Sequence, residues 1–182
     1  LADGDRLTRV TGGGVASGSS VLDLRGAGLA YDLAIDSHLE LSGPMSARLW
    51  VSLPRGGDAT LFVAVEKWAG TRWVPFEGSY GYGRDRIVTG GQKLSLRALD
   101  RDASSVARPV HNFDRVQLLE PGQIVEIEVG LGSSATSFMP GDRLRLVLAG
   151  RNIDRGNPLT GHFPARYQTG PRGTCRIHRG GD

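Results

Sequence analysis

Apolar and polar side chains alternate along most of this chain with a period of two. The clearest case begins at Leu29, where Leu29, Tyr31, Leu33 and Ile35 fall on one side and Ala30, Asp32, Ala34 and Asp36 on the other. Successive side chains of an extended strand point to opposite faces, so this rhythm predicts a strand with one face in a core. Shorter runs follow at Leu39 and Leu41, at Ala47, Leu49 and Val51, and at Leu61, Val63 and Val65 with Phe62 and Ala64 opposite. Later, Val125, Ile127, Val129 and Leu131 oppose Glu126 and Glu128, and Leu144, Leu146 and Leu148 oppose Arg143 and Arg145. Charges alternating with aliphatics mark an antiparallel sheet whose second face meets water.

Turn formers separate these runs: Ser42-Gly43-Pro44, Pro54-Arg55-Gly56-Gly57-Asp58, Glu120-Pro121-Gly122 and Pro140-Gly141-Asp142. Each supplies a fixed φ or a permitted positive one. No segment holds apolar residues at helical spacing for three turns, and Leu94 to Leu99 has room for one short helix at most. Many short strands with regular turns predict an all-β fold, a β-sandwich of the jelly-roll kind. No internal repeat of propeller or solenoid period is present. Leu1 to Ser20, with Gly12-Gly13-Gly14 and the run Ser17 to Ser20, has linker composition, and Asn152 to Gly173 reads as long loops. The expected division is a linker and first strand over 1–27, then a sandwich domain over 28–182.

At 182 residues the chain is long enough for one domain with a real core. Its 22 basic and 19 acidic residues are scattered, without a block of like charge or a recognition helix, which argues against a nucleic-acid partner. No apolar run approaches the roughly 20 residues that span a bilayer, and no membrane partner is expected. The single cysteine, Cys175, excludes an intrachain disulfide. That favours a cytoplasmic location slightly, with a secreted parent as the alternative.

A search for catalytic chemistry returns little. The Gly-x-Ser-x-Gly elbow of an α/β-hydrolase is absent, and its nearest fragments, Gly18-Ser19-Ser20, Gly78-Ser79-Tyr80-Gly81 and Gly132-Ser133-Ser134, read as turns. His38, His111, His162 and His178 stand apart from one another, with no metal-binding spacing. Asp100, Asp102, Asp114 and Asp154 lack the spacing of a calcium loop, although a structural calcium ion stays open as an alternative. Cys175 reads as an inert thiol. No catalytic residue, cofactor or metal ligand is therefore assigned. What stands out is a set suited to a docking or ligand surface: Trp68, Trp73, Tyr80 and Tyr82, the last two on the glycine-rich stretch Glu77 to Arg86, together with His111 and His178, which could meet in space.

The order of segments resembles a known family. His38-Leu39-Glu40-Leu41-Ser42-Gly43-Pro44 followed by Ala47-Arg48-Leu49-Trp50-Val51-Ser52 is similar to the strand pair that opens the C-terminal domain of X-Pro dipeptidyl-peptidases and CocE/NonD hydrolases, and Asp58 to Trp68 to its next strand. Gly91 to Asp100 and Arg108-Pro109-Val110-His111 resemble its central crossing. Its most distinctive signature is matched by Leu119 to Glu128, then Phe138-Met139-Pro140-Gly141-Asp142-Arg143-Leu144-Arg145-Leu146. The family's Trp-Pro-Thr-Ser is here Leu131-Gly132-Ser133-Ser134, and its Ser-His-Arg is Ser95-Leu96-Arg97. The resemblance covers about residues 28 to 181.

It implies a galactose-binding-domain-like jelly roll packed against the α/β-hydrolase catalytic domain of the same parent chain, an acyl esterase or dipeptidyl-peptidase. The role implied is non-catalytic, supporting the active-site entrance or subunit contacts. Ile177 to Asp182 resembles the turn before the family's last apolar strand, so either the chain is cut short there or the edge that strand would fill is open; an open edge predicts a tendency to self-associate as a homo-oligomer. The alternative is a stand-alone carbohydrate-binding module using Trp68, Trp73, Tyr80 and Tyr82.

Overall fold

The computed structural model describes residues 2–3, 6–7, 17–77, 84–153 and 172–180. It is a jelly-roll β-sandwich. One sheet, sheet B, has the order β11-β5-β13-β3, formed by Ile124–Phe138, Leu39–Ser52, Thr174–Arg179 and Gly18–Asp23. The other, sheet A, runs β1-β2-β4-β12-β6-β10, formed by Ala2–Asp3, Arg6–Leu7, Leu29–Ala34, Asp142–Ala149, Thr60–Ala69 and Val88–Lys93, with β7 (Arg72–Val74) also pairing β6. A small ribbon joins β8 (Phe76–Glu77) to β9 (Arg84–Asp85). The one helical piece among the described residues is a 3-10 turn, Leu94–Leu96, inside the stretch expected to hold one.

The alternation expected from the sequence builds the core. Tyr31, Leu61, Val63 and Leu148 of sheet A face Leu22, Val51, Ile127, Val129, Phe138, Cys175 and Ile177 of sheet B, all buried. Each such aliphatic or aromatic side chain contributes about 2 kcal/mol through the apolar area it removes from water.

The long pair β11–β5 departs from the expected pattern. Ser42-Gly43-Pro44 is no turn: it lies inside one continuous strand, opposite Ser133 to Ala135 of β11. Gly132-Ser133-Ser134 is likewise strand. The register slips between Gly130 and Gly132, and this bulge explains a change of parity. Odd-numbered Val125, Ile127, Val129 and Leu131 point inward before it, and even-numbered Phe138 after it, so that Phe138 meets Leu39 as Val125 meets Val51. Pro44 is tolerated because β13 pairs only with Trp50, Val51 and Ser52, leaving the far side of β5 without a ladder at Pro44 among the described residues.

Two further boundaries differ. Gly18 to Ser20, which have linker composition, begin strand β3, because Ile177, His178 and Arg179 of β13 supply backbone partners that override local propensity. Strand β6 is buried on both faces: Phe62 and Ala64, on the side away from the core, are 7% and 0% exposed. The chain leaving β12 folds back there, so that Phe62, Thr60, Thr89, Asn152 and Ile153 line one cavity on the outer face.

The sheets close on each other at a corner where no side chain intervenes. Gly90 of β10 points inward, and a Cβ there would run into the backbone carbonyl oxygen of Gly130 in β11. Gly90→Ala is therefore expected to lower unfolding free energy by about 3 kcal/mol through overpacking. Gly43→Ala, at φ 95° but in open space, should cost only about 1 kcal/mol. Urea unfolding of the two variants measures both, and equal losses would contradict the close approach.

Candidate docking surfaces

The outer face of sheet A carries a connected polar and aromatic cluster. The register places Arg145 of β12 directly between Asp32 of β4 and Glu66 of β6. Arg145 donates to Asp32 from Nε at 2.7 Å and Nη2 at 2.9 Å, and Arg143 adds a third bond at 2.9 Å. The Arg145 guanidinium also lies 4.3 Å from the centroid of the Trp68 ring. Trp68 Nε1 donates to Glu66, whose other oxygen accepts from Arg86 at 2.8 Å. Arg86 in turn stands over Trp73, the cross-strand partner of Trp68, and donates to the carbonyl of Ile153.

This geometry has two consequences. The bonds from Arg145 hold the Asp32 carboxyl below the usual carboxylate range against an opposing effect of burial, and the same bonds raise Arg145. And a guanidinium, that of Arg145, already stacks on one face of the Trp68 ring. Trp73 is half-buried, with its Nε1 buried and unpaired. Tyr80 and Tyr82 lie outside the described residues, as do His162 and Asp154.

His111 and His178 belong to the opposite side of the sandwich. His178 projects from the outer face of sheet B, beside Trp50, and its Nε2 is 2.9 Å from Ser52 Oγ. Burial, then the charge of Arg176, lower its pKa. His111 sits in the long crossing loop, bridged to Leu99. Burial lowers its pKa, against the pull of the Glu128 backbone and carboxylate. His178 thus contacts Ser52 and His111 contacts Leu99 and Phe113, while Trp68 and Trp73 lie on the outer face of sheet A.

The loop that carries His111 is braced along its length. Asp100 N–H donates to Val110, Asn112 to Ala98 and Gln117 to Ser95, while Arg97 bonds the carbonyl of Gln117. Ser46 of β5 donates to the carbonyl of Val106 at 2.6 Å. The foot of the loop hangs on Asp58, whose carboxylate accepts from Ala59 N–H, Ser95 N–H and Ser95 Oγ and pairs with Lys93. Sequence reasoning missed Asp58, Glu66 and Phe113. The last is exposed, has φ 54° and lies 5.7 Å from the His111 ring; its setting between Asn112 and Asp114 was the available signal of an aromatic in a turn.

Ser52 and His178 are the nearest approach to a nucleophile and base among the described residues. Ser52 is only 2% exposed, and among the described residues no carboxylate is hydrogen-bonded to His178. Cys175 is fully buried, and burial pushes its thiol up to about 12. Among the described residues no group of three or more His, Cys, Asp or Glu side chains gathers as a metal site. Asp100 instead closes its own turn, accepting from the N–H groups of Asp102 and Ala103.

The two packed, mainly antiparallel sheets define a jelly-roll β-sandwich domain. More particularly, residues 25–182 match the X-Pro dipeptidyl-peptidase C-terminal non-catalytic domain, and the chain belongs to that family. All of it superposes on 33% of the CocE/NonD family hydrolase from Staphylococcus aureus, with TM-score 0.88 and 28% identity. A second crystal structure of that hydrolase gives 0.83 over 93% of this chain and 32% of that one, again at 28% identity. An aminopeptidase from a marine sediment Thaumarchaeota archaeon shares the fold, with TM-score 0.56 and 22% identity over 87% of this chain and 25% of its own. The chain thus spans about a third or less of the length of these structures. No curated protein matches the sequence.

The Asp32–Arg145–Trp68 arrangement predicts that Arg145→Ala lowers stability by about 2 kcal/mol, and that Arg145→Lys recovers less than half, since an ammonium cannot make the two-pronged bond. Chemical unfolding of both variants checks this. The pH dependence follows from the shifted groups. His111 and His178 are protonated more readily in the unfolded chain, so stability is complete above the ordinary histidine range and falls as pH drops through it. Asp32 and Asp142, the latter held low by the Met139 N–H, add a second decline below the ordinary carboxylate range. Urea midpoints at pH 7.5, 5.0 and 2.5 should fall in two steps, and His178→Gln should reduce only the first.

Proposed function

We propose that this chain is the C-terminal accessory domain of a serine hydrolase, an acyl esterase of the CocE/NonD type or an X-Pro dipeptidyl-peptidase. Its role is to pack against the α/β-hydrolase catalytic part of the same parent chain and brace the active-site entrance or a subunit contact. It contributes apolar burial and shaped loops, while the covalent chemistry belongs to the other part. The observation that carries this reading is the family match over residues 25–182, in a chain about a third as long as the Staphylococcus aureus hydrolase it superposes on.

Support also comes from the state of Ser52. A nucleophilic serine has to reach substrate and needs an oriented base. Ser52 is almost inaccessible to solvent, and burial, then the charge of Arg176, bias His178 against accepting a proton. The purified chain should hydrolyse a p-nitrophenyl ester at the buffer rate and take up no fluorophosphonate label. Turnover abolished by Ser52→Ala would overturn the proposal. The coding sequence upstream of Leu1 should carry a Gly-x-Ser-x-Gly elbow.

A further inference from the structure

Large exposed apolar side chains concentrate in one loop. Val106 is 81% exposed, Phe113 64%, Val116 65% and Leu118 61%, all within the crossing between the 3-10 turn and β11. Such a group on a soluble surface marks a site of interaction. The loop is held in place with these side chains outward, its backbone tied to Ser95, Ala98, Ser46 and Arg97 by the bonds described above. Phe113 makes the point most sharply. An aromatic residue at φ 54° occupies a backbone region that L side chains avoid, and here the strained conformation holds its ring outward. The outer face of sheet A is the contrast, with its arginines spent on Asp32, Glu66 and two tryptophans.

We infer that the loop from Ala98 to Leu118 is the face covered by the catalytic part of the same hydrolase, with Phe113 as its central anchor. The inference rests on the proposed function. In the Staphylococcus aureus structure two-thirds of the chain lies outside the portion matched here, which supplies a large covalently linked partner. The segment has the composition of an interface: its exposed apolar side chains are interspersed along the chain with Arg101, Asp102, Asp114 and Arg115, charges of both signs. It therefore fits an apolar patch with charges of both signs on the partner.

The test is cysteine labelling in the full-length protein that carries this sequence. Phe113→Cys and Val116→Cys are compared with Val21→Cys and Met139→Cys, control positions 53% and 57% exposed and outside the loop. Cys175, fully buried, does not interfere in the native state. Maleimide should react at positions 113 and 116 at least tenfold more slowly than at 21 and 139 in the native protein, and at equal rates in urea. Equal native rates, in a protein that turns over ester, overturn this inference and leave the proposed function standing; a full-length protein without hydrolase activity overturns both. Protection lost on dilution to the monomer assigns the face to a second copy and also overturns it.

Discussion

Two backbones touch without a side chain between them where Gly90 of β10 meets Gly130 of β11, and the rest of the sandwich is arranged around that approach. It draws the edge of sheet A onto the edge of sheet B, so that Val63, Val129 and Leu131 share one core. The outer side of Gly130 is equally bare, and Pro109 of the crossing loop settles beside it. One small residue on each strand thus fixes both the closure of the sheets and the course of the longest described loop.

The two outer faces illustrate different uses of polar and apolar groups. On sheet A, alternation set charged residues outward, yet burial of Glu66 and stacking of Trp68 turned that side into a second, polar layer. Partly buried charges of this kind are tolerable only when each one is bonded, as Asp32, Glu66, Arg86 and Arg145 are. On the other side the long loop does the reverse, keeping its backbone groups bonded and leaving Val106, Phe113, Val116 and Leu118 in water.

Much of this fold was legible in the sequence, because period-two alternation reports which face of a strand is buried. The strands at Leu29, Leu61, Val125 and Leu144 and the turns at Pro54, Pro121 and Pro140 follow from it directly. The junction at Ser42-Gly43-Pro44 did not, since a bulge in a partner strand ninety residues away is a tertiary event with no local mark. Gly18 to Ser20 were misleading for the same reason: their strand exists only because β13 lies beside them. Surface sites were less legible still. Trp68, Trp73, His111 and His178 were recognisable as unusual residues, but which face each occupies depends on register, and the pairing of Arg145 with Asp32 depends on it entirely.

Asp58 has a mechanical meaning. Its carboxylate clasps Ala59, Ser95 and Lys93 at once, fastening the start of β6 to the 3-10 turn from which the crossing loop departs and to which it returns through Gln117. With Ser46 of β5 holding Val106, the loop is therefore fastened to both sheets, at its root through Asp58 to sheet A and farther out to sheet B, so the surface it carries keeps one position relative to the whole sandwich.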